Sequence, residues 1–362
     1  VGLTLGTIAY GYYRIGESTE EPKTTFGLIA RNEPIEYFQE DGREVAIFEA
    51  YARQSMVAVR ESSRPIDVIV WPESMFTGTL PWMIGDGNAE QAQEYGLSPS
   101  EVRRRLNEFR SSFRARSQLL QQQMRTPTQQ VVPDLLVGCG VIDYGEETHV
   151  YSGLLHLNDR GAVQEWYAKN HLVMFGEYIP IVNWIPIVSD WIPDDIGLTD
   201  GNGPTFMRVG QTSVLPNICI ETAVERVAIH HLQELRDGPG IPEVIVTVSN
   251  DGWFDDSSVV QHHKRCAQLV AVACRRPILS AANNGPTCWI DSHGRIVEEI
   301  AQGQNGNLIA GPRIDSRTPM TITLGDWPAR LCGFVLAATL CWRGRKDGVH
   351  AATENPKSKT SD

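Results

Sequence analysis

Apolar positions along this chain fall into two kinds of run. Residues 25–30, 66–71 (Ile-Asp-Val-Ile-Val-Trp), 215–219 and 244–248 are short, nearly unbroken apolar stretches ending at polar or turn-forming residues. Such stretches read as strands buried on both faces. Residues 35–59 instead space Ile47, Phe48, Tyr51 and Met56 near one face of a predicted helix. Residues 101–124, 222–235 and 258–275 are read as further helices, the first with Ser98 and Ser100 as candidate N-caps. Residues 135–142 and 151–157 pair about Tyr144-Gly-Glu-Glu, and Asn158-Asp-Arg-Gly161 turns the chain into 162–167. Residues 278–282 lead to Asn283-Asn284-Gly285, and 288–290 with 296–300 form a hairpin about Asp291-Ser-His-Gly294. Strands alternating with long helices, with hairpins between them, predict a mixed α/β sandwich rather than a pure βαβ wheel.

Some stretches fit neither pattern. Residues 75–99, rich in Gly, Asp and Glu, read as a loop, and the many charges of 101–124 as a solvated helix face. Residues 180–193 carry two tryptophans, several aliphatics and three prolines, which exclude a regular helix or central strand. That segment either packs under the domain or is an exposed apolar arm. Residues 1–13 are apolar and uncharged, like the end of a membrane helix; they lack the basic n-region and cleavage site of a signal peptide. Residues 331–342 are a second apolar run with Trp327 and Trp342 at its edges and Arg343, Arg345 and Lys346 beyond. It is either a C-terminal membrane helix over 327–342 or a core helix, since a full span needs about 20 residues. A polar, disordered tail is expected over 347–362.

Composition narrows the function classes. At 362 residues, 41% hydrophobic and 21% charged, the chain has ample core for one large domain or two ordinary ones. A formal net charge of -12 argues against nucleic acid as a partner. Cys139, Cys219, Cys266, Cys274, Cys288, Cys332 and Cys341 contain no CxxC pair and no zinc spacing, so no metal site is expected.

Three separated stretches carry candidate chemistry. In Leu215-Pro-Asn-Ile-Cys-Ile-Glu221 an apolar run delivers Cys219 to a turn before a helix. Helix N–H groups and a nearby cation would there favour the thiolate, as a nucleophile needs; the alternative is a small buried hydrophobe. Glu73 follows the strand at 66–71, where desolvation would raise its pKa and suit it to general acid–base work, unless it is a surface carboxylate. Lys169 stands in a polar cluster before an apolar patch, where a buried ammonium could hold an oxyanion, unless it is solvated.

The stretches Trp71-Pro-Glu73-Ser, Lys169-Asn-His-Leu-Val-Met-Phe-Gly-Glu177-Tyr and Ile218-Cys219-Ile-Glu221 together resemble the nitrilase (carbon–nitrogen hydrolase) superfamily. Ser249-Asn-Asp-Gly-Trp253-Phe, the His-His-Lys after it, Asn283-Asn-Gly and Gly325-Asp-Trp-Pro are similar to its apolipoprotein N-acyltransferase branch. The resemblance implies a nitrilase-like α-β-β-α sandwich over 24–318, flanked by remnants of membrane helices. It implies Glu73, Lys169 and Cys219 as the catalytic set. Ile220 would lend its backbone N–H to the oxyanion, Glu177 would orient Lys169, and Glu221 and Trp253 would line the pocket. No cofactor is implied. The partners would be a phospholipid acyl donor, a diacylated apolipoprotein acceptor and the membrane, with the catalytic domain on the outer face of the bacterial inner membrane. Departures from the branch are Ile220 in place of Tyr, Ser152 in place of Asn, Met174 in place of Pro, and a long insertion over 75–125. An amidohydrolase using the same three residues, or a silent membrane-bound scaffold, are the competing readings.

Overall fold

The computed structural model describes residues 2–16, 19–34, 42–85, 97–145, 147–173, 177, 197–254 and 257–353. The first half of the chain runs α1 (Gly2–Ile15), β1 (Phe26–Ala30), α2 (Arg43–Glu61), β2 (Val68–Trp71), β3 (Trp82–Gly85), α3 (Pro99–Gln123), β4 (Asp134–Tyr144), β5 (Thr148–Leu157) and β6 (Val163–Ala168). The second half runs β7 (Met207–Val209), β8 (Thr212–Ile218), α4 (Glu225–Arg236), β9 (Val244–Asn250), α5 (Ser258–Cys274), β10 (Ile278–Asn283), β11 (Thr287–Ile290), β12 (Ile296–Ile300), β13 (Gly306–Ala310), α6 (Met320–Leu324) and α7 (Trp327–Thr353).

The strands form two sheets. One has the order β13-β1-β2-β4-β5-β6 with β3 also on β4; the other is β12-β11-β10-β9-β8-β7. In each, a parallel centre (β1-β2-β4, β8-β9-β10) is flanked by antiparallel strands. Alternation along β2 places Val68 and Val70 in the core between the sheets, and Ile69 and Trp71 in the core beneath α2 and α3. Likewise Val246 and Val248 of β9 face the other sheet while Ile245 packs against α4 and α5. Three apolar layers thus separate helix, sheet, sheet and helix. Because both faces of each central strand are covered, these strands read as apolar runs rather than alternating ones.

Three departures from the sequence reading have physical causes. β3 lies inside the segment read as loop, where it pairs in parallel with the far end of β4. The charges of α3 are not all solvated. Arg116 stacks on the rings of Phe48, Phe76 and Phe113 at 4.6, 4.8 and 5.2 Å and donates to the carbonyls of Phe76, Thr77 and Leu80. Arg110 donates to the carbonyls of Met83 and Gly85. The helix therefore braces the chain that follows β2.

The ends differ most from expectation. Among the described residues, no helix is long and apolar enough to cross a membrane. In α7 the apolar run is confined between Arg330 and Arg343, and the helix runs on to Thr353, into the segment read as disordered tail. Nor is this run a core helix. Trp327, Leu331, Phe334, Leu336, Leu340 and Trp342 are all more than half exposed, as are Leu5, Ile8, Tyr12 and Tyr13 of α1. The apolar segment at 180–193 lies outside the described residues.

Candidate active site

Lys169 and Cys219 directly follow the last residues of β6 and β8, and Glu73 comes two residues after the end of β2. Glu73 is set by a turn in which the Met75 N–H donates to the Pro72 carbonyl, the next residue, Ser74, has φ 65°, and the Phe76 N–H donates to the Gly138 carbonyl of β4. Gly138 is needed for this approach. A Cβ there would come within 2.3 Å of the Pro72 carbonyl oxygen and 2.4 Å of the Glu73 Cα. The buried carboxylate accepts from Ser152 Oγ (3.1 Å) and Lys169 Nζ (3.1 Å) at Oε1, and from the Asn250 N–H (3.2 Å) at Oε2.

Lys169 is fully buried, and its Nζ donates both to Glu73 and to Glu177 Oε1 at 2.6 Å. Glu177 Oε2 in turn accepts from the Val173 N–H at 2.8 Å. Burial works against the ammonium, but the charges of Glu73, Cys219 and Glu177 hold its pKa above the usual lysine value. The site thus places the Lys169 ammonium between two carboxyl groups.

Cys219 opens a short 3-10 turn, Cys219–Thr222, with φ 52°, a left-handed conformation that a non-glycine residue adopts under constraint. Glu221 supplies much of that constraint. Its Oε2 accepts from the Ile218 N–H (2.7 Å), while Oε1 accepts from the Asn170 and His171 N–H groups (2.6 and 3.1 Å) and from the Tyr167 hydroxyl (2.8 Å). One buried carboxylate therefore ties the cysteine turn to the segment carrying Lys169. Burial raises its pKa to about 7 against the pull of those donors. Ile220 is the second residue of the turn, so its N–H has no acceptor within the turn and remains available to an oxyanion.

The thiol itself departs from expectation. Burial pushes the Cys219 pKa well above the usual thiol value, the charges of Glu73, Asp251 and Glu177 push further, and Lys169 opposes them. The sequence reading placed a cation and helix N–H groups beside the sulfur but could not see the carboxylates across the sheets. Cys219 is thus held as a thiol, and using it as a nucleophile requires a base.

Other polar groups at the site were not singled out from sequence. Ser152, a departure from the resembled branch, supplies a hydrogen bond to Glu73. Asn250 is held through its Oδ1 by Asn283 Nδ2 (2.9 Å), while Asn283 Oδ1 accepts from the Tyr51 hydroxyl (3.1 Å) and the Glu33 N–H (2.9 Å). Asn283-Asn-Gly entered the sequence reading only as part of a resemblance; here it locks the strand end that contacts Glu73. Trp253 lies in the turn after β9, 57% exposed. Among the described residues no group of three His, Cys, Asp or Glu side chains is placed to hold a metal ion.

The match to known proteins is extensive. Residues 42–317 match the family model described as carbon–nitrogen hydrolase. An apolipoprotein N-acyltransferase of Rhodopirellula baltica is 43% identical over 351 residues, covering 94% of this chain and 61% of the relative. One of Allorhizobium ampelinum is 28% identical over 313 residues, covering 84% of this chain and 51% of the relative. The chain thus spans between half and two thirds of the length of these relatives. In fold it is similar to an amidase from Nesterenkonia sp., with TM-score 0.51 at 12% identity over 83% of this chain and 94% of that one.

Proposed function

The chain belongs to the carbon–nitrogen hydrolase family, and from that premise we propose that it performs the chemistry of an apolipoprotein N-acyltransferase. The observation that carries this reading is the buried Glu73–Lys169–Glu177 network converging on Cys219. The 43%-identical relative supports the choice of acceptor over water. The exposed apolar helices α1 and α7 support a site working against a bilayer, in the bacterial inner membrane with the catalytic domain on its outer face.

In this mechanism Glu73 takes the Cys219 proton as the sulfur attacks the ester carbonyl of a phospholipid acyl chain. Lys169 and the Ile220 N–H hold the resulting oxyanion. Collapse breaks the C–O bond, and Glu73 returns its proton to the departing lysophospholipid oxygen, leaving a thioester. The α-amine of a diacylglyceryl-cysteine then attacks, with Glu73 accepting a proton from the nitrogen. The C–N bond forms, the C–S bond breaks, and the proton returns to sulfur. The raised thiol pKa makes a base necessary for the attack and calls for a proton to reach sulfur as the C–S bond breaks, both of which Glu73 supplies in this mechanism.

The test is transfer of a fatty acyl chain from phosphatidylethanolamine to the amine of a diacylglyceryl-cysteine peptide in detergent, read by peptide mass. Acylated peptide is expected. Cys219-dependent release of free fatty acid with no acylated peptide would replace the transferase by a hydrolase. The same assay checks the close packing behind Glu73. Gly138→Ala, which moves the base, is expected to lower kcat about a hundredfold, the typical cost of a 1 Å misplacement, with little change in KM. An unaltered kcat would mean that Glu73 need not be held where it is.

A further inference from the structure

Behind Cys219, on the face of the second sheet covered by α5, lies a partly open cavity with room for about 20 Å³ of water. Cys219 forms one wall, and Thr222, Thr247, Ser249, Ser280, Asp251 and His263 supply polar groups around the rest. β-sheet register explains the row: Thr247 of β9 is the partner of Ser280 in β10, and Ser280 is the partner of Cys288 in β11, so all three side chains share one face. That places Cys288 three strands beyond the cysteine turn, roughly 14 Å at about 4.8 Å per strand, which rules out a disulfide between them.

Asp251 and His263 form a pair at this cavity. Asp251 is 3% exposed, and its Oδ1 lies 3.3 Å from His263 Nδ1. Gly285 packs so closely that a Cβ there would come within 1.9 Å of Asp251 Oδ2. Phe254 holds the imidazole edge-on at 5.6 Å. The other ring nitrogen, Nε2, is fully buried and has no protein partner among the described residues. A buried polar atom without a partner is costly, and a polar cavity above about 10–15 Å³ accommodates one water.

We propose that this cavity is a single-water site that donates a hydrogen bond to the Cys219 sulfur, with Asp251–His263 as its positioning pair. With Nδ1–H directed at Asp251, the neutral imidazole presents Nε2 as an acceptor. The water gives one hydrogen to Nε2 and the other to sulfur, and accepts from the hydroxyls of the cavity wall. The other charges about the sulfur are Glu73, Glu177 and Lys169 on the reacting side, and Lys264, whose ammonium is 2.7 Å from Glu299 of β12. Lys169 opposes proton retention by Cys219 from the reacting side, while the Lys264 ammonium in the cavity wall is engaged by Glu299, so a neutral donor behind the sulfur adds support for the thiolate. The proposal rests on Cys219 being the nucleophile, as read above.

The test is alkylation of Cys219 by iodoacetamide as a function of pH, followed by peptide mass in the full chain. His263→Leu is expected to slow Cys219 alkylation about tenfold at neutral pH and move its pH profile upward; His263→Gln, which keeps a polar atom near Nε2, should restore most of the rate. Ser280→Val, which puts a methyl group into the cavity, should behave like His263→Leu and serves if that variant does not fold. Unchanged profiles in folded His263→Leu or Ser280→Val overturn the water site. A parent whose Cys219 alkylation is indifferent to Glu73→Gln overturns the nucleophile reading, and the proposal with it.

Discussion

Cys219→Ala is expected to abolish a covalent fatty acyl adduct that the parent chain forms with phosphatidylethanolamine in detergent. Intact mass should rise by one acyl chain in the parent, the gain should be removed by hydroxylamine, and the variant should show none. Turnover should fall by about 10⁴-fold or more, the scale seen when a covalent nucleophile is deleted. The chain has six other cysteines, so the site of the adduct needs an argument. Burial raises the thiols of Cys139, Cys274 and Cys288 to about 11, 12 and 12; Cys288 feels the Lys264–Glu299 pair, but none of the three stands beside Glu73 and Lys169. Cys266 is half-buried on α5, and Cys332 and Cys341 are exposed on α7. Cys219 is also raised, yet in the proposed mechanism Glu73 takes its proton and Lys169 holds the charge that develops, and both charges act on its thiol. An adduct that survives in Cys219→Ala would move the nucleophile to another thiol. No adduct in the parent, together with Cys219-dependent hydrolysis of a small amide, would favour the amidohydrolase.

The fold was legible where burial on both faces writes an apolar run. β2, β8, β9 and β10 were read to within about three residues, as were three of the long helices, whereas the helix read over 35–59 starts at Arg43. The strands that went unread, β3, β7 and β13, are three to five residues long, and they owe their pairing to β4, β8 and β1 rather than to their own pattern. The site was legible as a set of motifs, because Glu73, Lys169, Glu177 and Cys219 sit in recognisable local sequence. What joins them was not. Glu221 tying the turn at Cys219 to the segment after β6, Ser152 on Glu73, and Asn283 holding Asn250 are contacts between residues 33 to 79 positions apart. The direction of the thiol shift was misread for the same reason: the sum of charges at the sulfur is set by the meeting of two sheets.

Lys169→Met should be the most damaging change to stability at the site. Met is close to lysine in length and carries no charge, so the variant leaves the buried Glu73 and the partly buried Glu177 facing one another with no cation between them. Breaking a buried pair by removing one partner typically costs about 3–5 kcal/mol, a large share of the roughly 5–15 kcal/mol that holds an ordinary domain folded. Urea midpoints at constant m-value would report it. The pH dependence should also change form. In the parent, Lys169 has a folded pKa above 10.5, so its contribution is fully present below that value and is lost only as pH rises through the higher folded pKa. In Lys169→Met, two carboxyls share one buried site, which raises the folded pKa of at least one above its unfolded value of about 4.3. The variant should then be most stable in acid and lose stability as pH rises through that raised value, narrowing its gap to the parent below pH 5. Removing one of the two carboxylates as well, in Lys169→Met/Glu73→Gln, should recover part of the loss while leaving the enzyme inactive. A single variant as stable as the parent at pH 8 would show that the ammonium is not what holds the two carboxylates together, and Lys169 would lose its place as the charge that organises the site.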